Sequence, residues 1–553
     1  MNCVQSRARS TKRNAVLSDP KARAEWTELG GDELCCAFGG TRPLDQRPVA
    51  LLDAAWLVQH AKGRGPEWLF MPIISSREEL PAEAFVSYAD LSSDGCLPSF
   101  PASLPFVMVS SAWLTTQHPD PCGHQLKLIA CVLEKMIAFY QRRRIGVFWA
   151  YSCLLARKED AHLSRSLNRL HDEGLRSMAT IYSHARTWVL RVTRQPVEYP
   201  AAYAALLPRP PDELTKVGVN ATAGTAAREP SEAPSSDSCG WSFAEACWAR
   251  LTTPAALLLD LGPLRVGASD PDVSGVSAWA RQASFLEVQE KCTAGMTGGL
   301  TGGGTLGPPL SPAAFAEAVE ARRFARAGRS RESDLALVVA LYADTFEQRM
   351  REATELQFTG LGWGDDEVLS LTRVLSALER LENLETLRLD GNRFGEAGEA
   401  ALCELIQTDA LMPALHFVFV DDYRRCEARM RKLRSAETRA IEAEAEARGK
   451  RAAERERESG RQKATAAATV KVEEMVAASS SERGHLMKQV PVDEIQWMIK
   501  KEGERILEEQ VLAARDEAQA HTAAEVSRLE LLRHPRLFFV DGRALSHMHW
   551  RVA

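Results

Sequence analysis

The sequence predicts an α/β fold, a doubly wound parallel sheet with flanking helices, followed by a short repeat segment and long C-terminal helices. Three observations carry this. Between residues 104 and 262 the runs Phe106-Val107-Met108-Val109, Gly146-Val147-Phe148-Trp149, Thr187-Trp188-Val189-Leu190 and Ala256-Leu257-Leu258-Leu259 are continuously apolar. That pattern belongs to strands covered on both faces, since a half-solvated strand alternates. Between the first two runs, Leu126, Ile129, Ala130, Leu133, Ile137 and Tyr140 recur at helical spacing, with Asp120 placed to cap that helix. After Asp421 the composition turns to Arg, Glu and Ala with few large apolar residues, which predicts exposed helix.

Strand, helix, strand, helix is the rhythm of a parallel sheet. Ligands of such sheets sit outside the carboxyl ends of the strands, which puts Ser110, Ser111, Tyr151 and Ser152 on the side where a site forms.

At 553 residues the chain exceeds one ordinary core, since domains cluster at roughly 100 to 200 residues. Its formal charge of −6 gives no general attraction to nucleic acid or anionic membranes. Twelve cysteines lie scattered from Cys3 to Cys426 without a C-x-x-C pair, so neither a zinc site nor a disulfide framework is predicted. Reduced thiols and the lack of a long apolar run lead us to expect a cytoplasmic protein with no membrane span. Arg7, Arg9, Lys12 and Arg13 read as a plain basic tail, because Asp19 and Glu25 follow too soon for a presequence.

Composition divides the chain into a disordered N-terminal tail (1–45), an α/β domain (46–350), a repeat segment (351–420) and a charged helical tail (421–553). Within the α/β domain, Pro-, Ser- and Gly-rich tracts near 208–240 and 293–310 read as disordered insertions.

The stretch from Phe106 through Ser110-Ser111-Ala112-Trp113-Leu114, followed by His118-Pro119-Asp120-Pro121-Cys122-Gly123-His124, resembles the opening strand, loop and helix of a divergent TIR-like family of eukaryotic microbes. Upstream, Arg77-Glu78-Glu79-Leu80-Pro81 resembles that family's lead-in segment, and Val147-Phe148-Trp149 its second strand. Gly240-Trp241-Ser242-Phe243-Ala244-Glu245 is similar to its Trp-x-x-x-Glu segment. The likeness covers about residues 75–265 and implies a TIR/flavodoxin-like sheet. It also implies NAD as a substrate, with Glu245 catalytic and Ser110, Trp113 and Trp241 lining the dinucleotide site. A fixed carboxylate suits that chemistry, because breaking the nicotinamide bond builds positive charge on the ribose; no further cofactor and no metal are required. The structural alternative seats Trp241 on the sheet and uses Glu245 to complement a helix dipole. Ala150 and Leu155-Ala156 depart from the aspartate and Gln-Pro pair the family often carries after its second strand.

The histidines near the strand end have a simple reading. His118 and His124 flank Cys122, and Pro119 and Pro121 make this a rigid turn rather than a metal site. The pair His547 and His549 reads as incidental.

Downstream, Leu384-x-x-Leu387-x-Leu389-x-x-Asn392-x-Phe394 resembles a leucine-rich repeat core, with Gly391 and Gly395 at the turns and a helix from Ala397 to Ile406. A shift of 31 residues puts Leu356 and Phe358 upstream, and Val418 and Val420 downstream, on the same template. This implies a short ribonuclease-inhibitor-like array, with Asn392 bonding its turn and Arg388 and Asp390 on a solvated strand face.

In the tail, Glu427 with Arg431, Glu444 with Arg448 and Glu446 with Lys450 are i, i+4 pairs. Too few apolar residues form a heptad seam, so the reading favours a solvated single helix over a strong coiled coil. A second helix near Val492 to Arg533 carries a patchy stripe, including Ile495, Met498, Ile499, Ile506, Val511, Leu529 and Leu532, suited to docking or weak self-association. Together these readings lead us to expect a signalling or scaffold protein that self-associates through its TIR-like domain and binds other proteins. The alternative is an NAD hydrolase using Glu245.

Overall fold

A computed structural model describes residues 20–63, 73–99, 102–115, 118–141, 144–157, 165–194, 239–265, 276–297, 306–324, 330–407, 411–482, 491–532 and 538–541. The expected insertion at 208–240 falls largely outside the described residues, as do residues 298–305 of the one at 293–310 and His547 and His549. Residues 293–297 end a helix and Leu306 is buried, so the second insertion is narrower than expected. The chain forms two compact units, one comprising residues up to Asp421 with Val540–Ala553 and the other Asp422–Phe539.

In the first unit, α1 (Pro20–Glu28) and α2 (Gly31–Ala37) precede β1 (Leu52–Asp53) and α3 (Ala54–Lys62). Next, β2 (Phe106–Ser111) leads through α4 (His124–Phe139) to β3 (Gly146–Trp149) and the short α5 (Ala150–Cys153). Then α6 (Arg165–Tyr182) leads to β4 (Trp188–Val192), and α7 (Gly240–Thr252) to β5 (Leu258–Asp260). Helices α8 (Phe285–Thr297), α9 (Pro312–Glu320) and α10 (Arg331–Glu352) follow.

The sheet runs β1-β3-β2-β4-β5, parallel throughout except for β1, which pairs antiparallel to β3 at the edge. Every residue of β2, β3, β4 and β5 is buried, as continuous apolar runs require of strands covered on both sides. Side-chain parity assigns the two layers. Trp188 meets Phe285 of α8 with ring centroids 5.6 Å apart, whereas Phe148, in register with Met108 and through it with Val189, meets Tyr182 of α6 at 5.8 Å. Successive residues face opposite sides, so α8 with α4 covers one face, and α6 with α7 covers the other.

The N-terminal expectation needs correction. Residues 20–46 are not a tail: Trp26, Leu34 and Phe38 are buried, and Trp26 and Phe38 both pack on Phe106 at the start of β2. Isolated apolar residues in a charged stretch hid this docking. Arg349 of α10 fixes the same layer, donating to Glu33 of α2 at 2.6 Å and to the Ser183 hydroxyl at 3.0 Å.

The repeat region belongs to this unit. Strands β6 (Glu355–Gln357), β7 (Thr386–Arg388) and β8 (Phe417–Val420) pair in parallel, with Leu356, Leu387 and Val418 in one row. Helices α11 (Asp365–Ser376) and α12 (Glu396–Gln407) connect them. Asn392 stitches adjacent turns: its Oδ1 accepts from Leu361 and Trp363 amides at 3.0 and 3.2 Å, and its Nδ2 donates to the Phe358 and Leu389 carbonyls at 2.7 and 2.9 Å.

The second unit is built on α13 (Tyr423–Glu482) and α14 (Val492–Leu532), and here too an expectation is corrected. Helix α13, expected to stand as a solvated single helix, instead pairs antiparallel with α14, the helix whose stripe was expected to dock or self-associate. Lys471 bonds Glu502 at 2.7 Å across the seam, and Gly503 lies against Ala464, Thr465 and Ala468. Among the described residues, the buried side chains along the paired stretch include Ala453, Ala464, Ala468, Val472 and Val511. Small side chains let the backbones approach closely, so the seam carries no large apolar stripe to read. The pairs expected on α13 are present, with Arg448 to Glu444 at 3.2 Å and Lys450 to Glu446 at 2.7 Å.

Candidate functional site

The apolar strands turn polar at their carboxyl ends. Ser110 of β2, Arg191 of β4 and Asp260 of β5 are in register across three parallel strands, so their side chains share one face. It is the face of Met108 and Phe148, covered by α6 and α7. All three are buried, at 3%, 5% and 8% exposure. Buried polar groups need partners, and Asp260 has them: its Oδ1 accepts from the Gly262 amide at 2.9 Å and from the Thr193 hydroxyl. Gly262 is required there, since a Cβ would lie 2.6 Å from Thr193 Oγ1.

Glu245 is also buried, at 5% exposure, because every residue of α7 through its first three turns is enclosed between α6, α10 and the sheet. It lies beside the Tyr182 hydroxyl, which donates to the Val109 carbonyl of β2 at 2.7 Å. Burial, reinforced by the Glu245 carboxylate, holds the Tyr182 phenol well above its ordinary range, so it remains a donor. The carboxylate therefore sits one residue back from Ser110 along β2, inside the layer rather than in solvent.

Trp241 faces elsewhere. Its Nε1 donates to the buried Asp334 Oδ2 of α10 at 3.1 Å, and its ring meets Phe324 edge-on at 6.5 Å. Trp113 stays at the strand end, edge-on to Tyr151 of α5 at 5.6 Å, and His118 packs on the same Tyr151 at 4.7 Å. Of the four residues expected to line one site, Ser110 and Glu245 share the α6–α7 side of the sheet. Trp113 belongs to a neighbouring aromatic corner, and Trp241 anchors α7 to α10.

Asp120 and Gln125 join that corner to the sheet. Asp120 is fully buried and its Oδ2 accepts from the Leu126 amide at 2.8 Å, from outside the helix start, where Gly123 takes φ 71°. Burial raises its carboxyl to about 6, against the pull of the Leu126, Gln125 and His124 amides and of Arg265. Gln125 Nε2 donates to the Ala112 carbonyl at 3.0 Å.

Sequence reading missed Arg191, Asp260, Tyr182 and Asp334. The first two carried a signal, a charged residue ending an apolar strand run; the others become visible only once α6 and α10 are placed. Among the described residues no group of three or more His, Cys, Asp or Glu side chains can hold a metal ion. Nor is any described helix long and apolar enough to cross a membrane. Comparison with protein-family models, with curated proteins and with solved structures finds no match.

Proposed function

We propose that the chain is a cytoplasmic TIR-like signalling or scaffold protein that self-associates through its α/β domain and binds protein partners through its repeat and helical tail. The observation that carries this reading is the use of Trp241 and Glu245 as packing groups. Trp241 bonds Asp334 and Glu245 is enclosed against Tyr182, so the Trp-x-x-x-Glu segment seats a helix. The in-register row Leu356, Leu387 and Val418 at 31-residue spacing supports a leucine-rich repeat identity for residues 351–420. Phe417, exposed on β8, offers a protein-binding surface beside Phe419, whereas Arg388 and Asp390, expected on a solvated face, are half-buried and buried and pair with each other.

One observation favours the enzyme reading as second: Glu245, Ser110, Arg191 and Asp260 all lie on one side of the sheet toward its carboxyl end. Incubating the purified full chain with NAD separates the two. The scaffold reading expects no nicotinamide release and a concentration-dependent increase in mass by light scattering. Nicotinamide release that Glu245→Gln abolishes replaces it with NAD hydrolysis.

A further inference from the structure

Side chains from three elements converge on one short segment above the ends of β2 and β3. Three consecutive carbonyls of residues 73–75 each accept a hydrogen bond: Ile73 from His60 Nε2 of α3 at 3.0 Å, Ile74 from His118 Nε2 at 2.8 Å, and Ser75 from the Ser152 hydroxyl of α5 at 2.7 Å. The segment thus crosses the aromatic corner formed by Trp113, His118 and Tyr151. In doubly wound sheets this is the end where ligands and partners are met.

The protonation state of His118 follows from its bonds. The Asp120 backbone N–H donates to Nδ1 at 2.9 Å, so Nδ1 is an acceptor and carries no proton. Nε2 must then hold the proton that it gives to the Ile74 carbonyl. Both ring nitrogens are engaged in a pattern only the neutral ring supplies. A proton on Nδ1 faces the Asp120 N–H donor to donor, and the ring must turn away, which also withdraws Nε2 from Ile74.

We propose that residues 73–76 are a pH-released strap, pinned over the Trp113–Tyr151–Ser152 corner by neutral His118 and freed to uncover that corner when His118 is protonated. The groups facing His118 are Glu79 just beyond the strap, Tyr151 of α5 and Asp120 of its own loop, with His60 on the adjoining carbonyl. Burial lowers the affinity of His118 for a proton, opposed by the Ile74 bond and the Glu79 carboxylate. Release therefore starts below 6.5, the ordinary histidine value. Asp120 titrates in the opposite sense: its carboxyl, raised to about 6, favours the closed arrangement on protonation because the neutral form escapes the desolvation of the charge. His118 is thus the group that opens the strap, and Asp120 partly resists.

Hydrogen–deuterium exchange of the full chain between pH 7.5 and 5, corrected for intrinsic exchange, tests this. Peptides covering residues 73–76 and 118–120 are expected to lose protection as pH falls below the ordinary histidine value of 6.5, by up to about tenfold per pH unit, levelling off once the lowered closed-state value of His118 is passed. Peptides over β4 keep theirs. His118→Gln retains a donor that does not titrate and flattens the profile, and His118→Asn keeps only the acceptor toward Asp120 and leaves the strap released at every pH. A wild-type strap that stays protected down to pH 5 overturns the proposal, as does loss of protection across the whole sheet together. If Asp120→Asn abolishes the profile, the switch is Asp120 and the assignment to His118 falls.

Discussion

At the scale of single residues, two buried polar side chains hold more structure than their size suggests. Asn392 makes four hydrogen bonds to the backbone of adjacent turns, which an alanine cannot replace. With a net contribution of roughly 0.5 to 1.5 kcal/mol per bond and further loss from buried groups left unpaired, Asn392→Ala is expected to destabilise the first unit by about 3 kcal/mol. The measure is the urea midpoint followed by circular dichroism, and a shift equivalent to under about 1 kcal/mol refutes this account of the turn. Trp241→Phe is subtler, keeping the ring but deleting the N–H that reaches Asp334, itself 1% exposed. A loss of about 1 to 3 kcal/mol is expected, with Asp334→Asn restoring part of it in the double variant by removing the buried charge. Additive single and double effects show that the pair is not coupled.

At the scale of elements, legibility followed side-chain size and sequence distance. Strands β2 to β5 could be read because a run such as Phe106 to Val109 has no polar face, and the 31-residue spacing of Leu356, Leu387 and Val418 is a repeat seen directly in the sequence. The two-residue β1 and the docking of Trp26 and Phe38 could not, since each depends on distant partners. Ser110 was singled out by its place at the carboxyl end of an apolar run and Glu245 only by the Trp-x-x-x-Glu spacing, whereas Arg191 and Asp260 needed the strand register to place them beside Ser110. The α13–α14 seam escaped because Ala464, Ala468 and Gly503 look like ordinary helix filler. That seam makes a sharp prediction. Ala468 is fully buried, so Ala468→Leu forces extra volume between close-packed helices at roughly 1 to 3 kcal/mol. Thermal loss of helical dichroism should begin earlier, while Cys153, buried in the other unit, resists thiol labelling to the same temperature as in the parent chain.

At the scale of the whole molecule, the burial of histidine sets an acid limit on the first unit. His184 repeats the arrangement of His118: its Nδ1 accepts from the Arg186 amide at 3.2 Å, and Nε2 approaches the Gly30 backbone. Burial, then the nearby Arg349 and Arg186 charges, lower its pKa from 6.5 to about 3. The folded chain therefore holds His184 neutral while the unfolded chain takes up a proton below 6.5. Stability is full above that value and falls as pH drops toward 3, by about 2 kcal/mol at pH 5 from this residue alone. Asp120 acts in the opposite direction, since its raised carboxyl binds a proton in the folded state between about 6 and 3.8, returning roughly 1 kcal/mol at pH 5. Wild-type unfolding in urea at pH 7.5 and 5 should thus differ modestly, and Asp120→Asn, which removes the opposing titration, should widen the gap. His184→Gln should narrow it, because an amide on the same backbone contacts takes up no proton. A gap between pH 7.5 and 5 that neither substitution alters places the acid sensitivity in groups other than these two.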